Sequence, residues 1–297
     1  LKKVIQIPSI DDSIEGYQVL VKLNGRCHDI LGMDIDEPSK DINVSFNFER
    51  CQVLKQNGVS YLGAISYVFA QQGYHVFYEI GSLNAQVFET LSQDGFLGSN
   101  FKKYHSMMSV DSNHIKFNHF IGSTEDRSVN DKIQTYITKE WLAKANIHFS
   151  EPLRQDITAR LYELFANALE HSKSPIGCIA SGQSESHDID LCVVDLGVGI
   201  VQNVQQYYKK IGQKISSEEA IRKAFIDGFT TRGDESGGLG LALIKEFLQL
   251  NKGSLDVYCN DIHLRIDPQH VNPVVHSLKE HFYGTMLNVK LKKDNRS

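Results

Sequence analysis

The run LCVVDLGVGI, Leu191–Ile200, constrains this chain most. Its first half is apolar without alternation, the pattern of a buried strand. It ends in Asp195, followed at once by Gly197 and Gly199. A carboxylate at the end of a buried strand must be hydrogen-bonded or solvated. It can accept from a donor such as an exocyclic amine, and glycines let backbone lie close beneath a flat ring. By itself Asp-x-Gly-x-Gly is also an ordinary tight turn.

The segment just before it, PLRQDITARLYELFANALEHS, reads as a helix with two stripes. Ile157, Leu161, Leu164 and Ala168 form an apolar face. Glu163, Asn167 and His171 follow one another at spacings of four, which places them on one polar face. A carboxylate and a carboxamide one turn apart can hold a hydrated magnesium ion and an attacking water. A solvent-facing polar stripe has the same spacing. Pro152 suits the first turn of this helix, where its missing amide proton costs nothing.

Further on, Gly233, Gly237, Gly238 and Gly240 precede LALIKEFL, whose Leu241, Ile244 and Leu248 fit one helix face. Free amides at a helix start attract phosphate, and the helix dipole assists. A flexible loop before a helix would carry the same glycines. Ser216 and Glu219 have capping-box spacing.

The front of the chain has a different rhythm. Residues 1–40 stay unassigned, with QVLVKL a strand candidate and GMDIDEPSKD a turn-rich loop. INVSFNF alternates like a half-buried strand, a helix opens near Gly58, YHVFYEI follows as a strand, and Asn84 can cap the next helix. Strand, helix, strand, helix implies a parallel or mixed sheet covered by helices. HIKFNHFIG reads as a further strand, and a helix over about 129–145 contains Trp141. IGCIASG and DIDLCVVDLG are strands, and a second domain is expected from about residue 128.

The 297 residues are 41% apolar and 23% charged, enough for real cores. A net charge of -5 argues against a dedicated nucleic-acid binder. No apolar stretch approaches the roughly 20 residues that cross a bilayer. There is no secretory signal pattern at the start. The five cysteines are scattered, without a CxxC, and read as reduced thiols of a cytoplasmic protein. His114 and His119 are five apart on the HIKFNHFIG strand, so they point to opposite faces and argue against a metal pair.

Taken in order, these segments resemble the GHKL ATPase superfamily: gyrase-type topoisomerases, heat-shock chaperones, histidine kinases and MutL-type repair proteins. ELFANALEH is similar to the family's asparagine box, VVDLGVGI to its first glycine box, SGGLGLAL to its second and YGTMLNVKL to its last. SSEEAIRKAFIDGFTTR has the family look between the glycine boxes. The resemblance spans about 130 residues. It implies a Bergerat-type α/β sandwich over residues 128–297, one mixed sheet with helices on one face, binding ATP and Mg2+. By this resemblance Asn167 would ligate magnesium and Glu163 would be the general base. Asp195 would bind adenine with Thr285 close by, and Gly197 and Gly199 would line the base. His171, Thr231 and Leu239 would join the nucleotide contacts, and Gly237, Gly238 and Gly240 would form the phosphate-covering lid.

The chain departs from the family pattern in places. Ser236 stands where many members have glycine. Glu170 stands where sensor kinases often have lysine, which removes a phosphate contact. No two-helix segment with a phosphoacceptor histidine precedes the domain, which disfavours an autophosphorylating sensor kinase.

Residues 41–127 resemble a STAS-like α/β domain, as in anti-sigma-factor antagonists, which implies a docking or regulatory module. Gln56 and Asn57 stand where that family has serines before Gly58, and Ser60 is a displaced hydroxyl. An α/β domain unrelated to STAS fits the same pattern.

Three functional readings stay open: an ATPase or serine/threonine protein kinase of the anti-sigma-factor kinase type, a nucleotide-gated protein-binding switch, and a degenerate domain that has lost ATP. ATP or ADP and a protein partner are the expected ligands. Several relatives dimerise, so a homodimer is compatible.

Overall fold

The computed structural model describes residues 2–33, 42–107, 114–145, 150–225, 252–270 and 272–293, with positions 241, 244, 245, 247 and 248. The front elements are β1 (Lys2–Gln6), α1 (Ile14–Met33), β2 (Asn43–Asn47), α2 (Gln56–Gln71), β3 (His75–Tyr78), α3 (Ala85–Gln93) and α4 (Phe96–Asn100). Then come β4 (His114–Phe120), α5 (Arg127–Thr135), α6 (Glu151–Ala166), β5 (Cys178–Ser184) and β6 (Asp188–Asp195). The chain continues through α7 (Ile200–Lys210), α8 (Ser217–Ala224), β7 (Ser254–Ile266) and β8 (Val274–Lys292).

The strands make two sheets, a parallel one in the order β1-β2-β3 and a five-stranded one in the order β4-β5-β6-β8-β7. The fold is α+β. Every pairing in the larger sheet is antiparallel, where the resemblance implied a mixed sheet. Residues 2–33 supply β1 and α1, and QVLVKL, a strand candidate by sequence, lies inside α1 instead, while β1 pairs with β2 from Lys2↔Asn43 to Gln6↔Asn47. β4 lies before residue 128 yet pairs with β5, so the larger sheet draws a strand from the front segment.

Several local expectations are visible as contacts. The Asn84 side chain accepts from Val87 N, and Pro152 lies in the first turn of α6. Ser216 and Glu219 complete a capping box. The helix containing Trp141 begins as α5 and continues through a π-helical turn, Tyr136–Trp141. Trp141 is fully buried and donates through Nε1 to the Asp190 carbonyl at 3.0 Å.

Burial explains the missing alternation in β6. Ile189, Leu191 and Val193 enter one core, with α6, α8 and the helical positions Leu241, Ile244, Phe247 and Leu248. Cys192 and Val194 enter the other, with α1 and α2. The larger sheet is therefore covered on both faces, the second by the front module. Full burial of a large aliphatic side chain contributes about 1.5–3 kcal/mol, so the module is held by an extensive apolar contact. Polar pairs register it. Ser60 Oγ lies 2.7 Å from Ser181 Oγ, and Lys290 Nζ lies 2.8 Å from Asp12 Oδ2. Ser60 is fully buried at this contact, which closes it to modification.

All five cysteines are free and buried. Burial pushes the thiols of Cys27, Cys51, Cys192 and Cys259 up to about 12, so they stay protonated and unreactive. Among the described residues, no helix is long and apolar enough to cross a membrane.

Candidate functional site

Asp195 closes β6 opposite Thr285 of β8. It is 3% exposed, and burial pushes its carboxyl up to about 7. Partial compensation comes from the Gly197 amide, which donates to Oδ1 at 3.0 Å, and from the Thr285 and Ser172 hydroxyls. A carboxyl poised near neutrality in a cleft marks a candidate site.

The following loop turns tightly against the end of α6. Val198 N donates to the Ser172 carbonyl at 2.6 Å. Gly197 faces the same carbonyl, and a Cβ there would lie 2.1 Å from it. Gly199 has φ +85° and caps α7, and a Cβ there would meet Asn260 Oδ1 at 2.6 Å. Close packing therefore demands glycine at both positions.

α6 passes into a π-helical turn, Asn167–His171. Such turns recur at functional sites because they re-aim side chains. Asn167 Nδ2 donates back to the Glu163 carbonyl at 2.8 Å, leaving Oδ1 as the atom for an outside partner. Glu163 is half-buried, and burial raises its carboxyl above the ordinary value despite Arg160 nearby. Glu170 is anchored elsewhere, with Oε1 accepting from Thr124 N at 2.6 Å and Ser123 Oγ at 3.0 Å. Its carboxylate holds the turn before α5, which gives the departure at this position a structural role.

Asn167, His171, Asp195, Gly199 and Thr285 line one small cavity of about 20 Å3, with Ala168, Ser172, Ile200, Asn203 and Leu287. That is room for about one water. Beyond it lies a groove of about 390 Å3, bordered by Glu170, Lys173, Tyr207 and Lys210. His171 and Asn203 line both spaces. Asn203 Nδ2 donates to the His171 carbonyl at 2.7 Å, tying α7 to the end of α6. A groove of this size takes a drug-sized ligand, while the inner cavity is too small for a ring.

Five of the residues expected from sequence therefore converge. Glu163 lies one turn back, outside the cavity lining, and Gly197 is spent on packing. Thr231, Gly233, Gly237, Gly238, Leu239 and Gly240 lie outside the described residues. Ser172, Asn203 and Asn260 were not singled out by sequence. Asn203 stands one turn after Gly199, a spacing that was legible once the helix start was known. Asn260 reaches the loop from a distant strand, and no local pattern signals it.

No protein-family model matches the chain, and no curated protein matches it. The likeness to the GHKL superfamily therefore rests on the residues themselves.

Proposed function

We propose that the chain binds Mg-ATP at the corner between α6, β6 and α7. There it acts as an ATPase or as a serine/threonine protein kinase of the anti-sigma-factor kinase type. The front, STAS-like module would regulate it. One observation carries this reading: Asn167, His171, Asp195, Gly199 and Thr285, from segments far apart in sequence, line one cavity.

The residue types suit the ligand. Asp195, once ionised, accepts from an exocyclic amine, and Thr285 stands beside it. The free Oδ1 of Asn167 is a hard oxygen of the kind magnesium prefers. Bound magnesium would offset charge on the phosphates. Glu163 is the carboxylate one turn before Asn167 on α6, Glu170 being bonded to Ser123 and Thr124, and its raised affinity for a proton suits a general base. Asp195 lines the inner cavity and not the groove, so a base that reaches it would need the cavity to widen toward the groove. Asn203 and His171 line both spaces, and their bond is the tie that such widening would strain.

The test is incubation with labelled ATP and magnesium, alone and with cell extract. Label released as phosphate, or moved to another protein, supports the enzyme. Absence of nucleotide binding by calorimetry refutes the proposal.

A second reading, a nucleotide-gated binding switch, is favoured by the attachment of α1 beside the site. Asn24 and Tyr283 exchange two hydrogen bonds, at 2.8 Å and 3.3 Å, two residues from Thr285. A switch predicts that a non-hydrolysable nucleotide changes amide exchange in α1. Unchanged protection would exclude it.

A further inference from the structure

Helix α7 begins at Gly199, which has no side chain to cap it. The first amides of a helix need partners from elsewhere. Asn260 supplies one from β7. Its Oδ1 accepts from Gln202 N at 3.3 Å, three residues into the helix start, where a local cap would bond. The same oxygen accepts from Cys259 Sγ at 3.0 Å. Its Nδ2 donates to the Val198 carbonyl at 3.2 Å and lies 3.4 Å from His281 Nε2.

Asn260 is 4% exposed and has φ +55°, at a register shift between β7 and β8. Asparagine is one of the few non-glycine residues that take up this conformation readily, which suits it to the irregular point in the ladder. The side chain also fills the space beside Gly199. One carboxamide thus grips both sides of the turn that joins Asp195 to α7.

We propose that Asn260 is a positioning residue of the nucleotide site. It fixes the Val198–Gln202 backbone, and through it the wall formed by Gly199, Ile200 and Asn203. This rests on the nucleotide reading. The grip continues outward: His281 contacts Tyr283 at 4.6 Å, and Tyr283 stacks on His28 of α1 at 3.4 Å. Asn260 is therefore the point at which the front module's hold on β8 meets the site.

Asn260→Gly separates positioning from folding. Glycine accepts φ +55° without strain, so the fold is kept while the carboxamide is lost. Asn260→Asp retains the acceptor for Gln202 N and loses the donor to Val198. Calorimetry with ATP, ADP and adenosine, beside urea unfolding, reads the result. The expected loss for Asn260→Gly is about tenfold. It should be equal for the three ligands, because the base end is what the turn holds. The unfolding midpoint should fall modestly while unfolding stays cooperative, because the bonds to Gln202 N and the Val198 carbonyl are lost, and Asn260→Asp should fall between that variant and wild type in both readings. Wild-type affinity in Asn260→Gly overturns the positioning role alone, as does a loss that grows with phosphate number. Failure of the wild-type chain to bind any of the three overturns the nucleotide reading and this role with it.

Discussion

Replacing Asp195 by Asn tests the environment on which the site depends. The carboxyl sits at about 7 against an ordinary 3.8, a rise of about 3 units. Each unit corresponds to about 1.4 kcal/mol. Between about pH 4 and pH 7 the folded chain holds a proton at Asp195 that the unfolded chain has released. Stability from this group is therefore full below about pH 4 and is lost as pH rises through 7, by about 4 kcal/mol in all. Asn has the same shape and does not titrate. Its oxygen can accept from the Gly197 amide as Asp195 Oδ1 does. Relative to wild type, Asp195→Asn should gain about 3 kcal/mol in unfolding free energy between pH 5 and pH 8. Urea unfolding at the two pH values measures this difference. Asp94 and Asp190, also pushed up to about 7 by burial, contribute equally to both proteins and cancel. Parallel pH profiles for variant and wild type would refute the claim that Asp195 is buried and proton-holding. In the same variant, ATP affinity should fall at least tenfold at pH 8, so stability and binding move in opposite directions.

Nucleotide binding by the wild-type chain should release close to one proton below pH 7, as Asp195 ionises to accept from the base. Titration calorimetry in buffers of different ionisation heat reads this, and affinity should weaken by up to about tenfold per pH unit below 7. Glu163→Ala should retain ATP affinity while abolishing phosphate release, and turnover equal to wild type would remove Glu163 from the chemistry. Asn203→Ala removes the bond to the His171 carbonyl, so the association rate for ATP should rise in stopped-flow mixing; an unchanged rate would show that this tie does not gate the cleft. Gly197→Ala would set a methyl against the Ser172 carbonyl and should lower stability by about 1–3 kcal/mol in urea unfolding, with loss of binding.

The local rules were legible in the chain. The capping residues Asn84 and Ser216, the proline opening α6 and the unalternating β6 depend on neighbours within a few residues, so spacing alone exposes them. Asp195, Asn167 and His171 stood out because a carboxylate at a strand end and a four-residue polar stripe are local patterns too. Tertiary structure decided the rest. β1 joined a sheet that no period in residues 1–40 announces, since a parallel partner lies about 40 residues away. Glu163, one α-helical turn before Asn167, lies off the cavity that Asn167 and His171 line, because β6, β8 and α7 close on the end of α6 and not on its earlier turn. Asn260 reached the turn after Asp195 from another strand, through contacts of long sequence separation. Short-range hydrogen bonding writes itself into spacing; the meeting of distant elements depends on how two cores close on opposite faces of one sheet, which spacing does not encode.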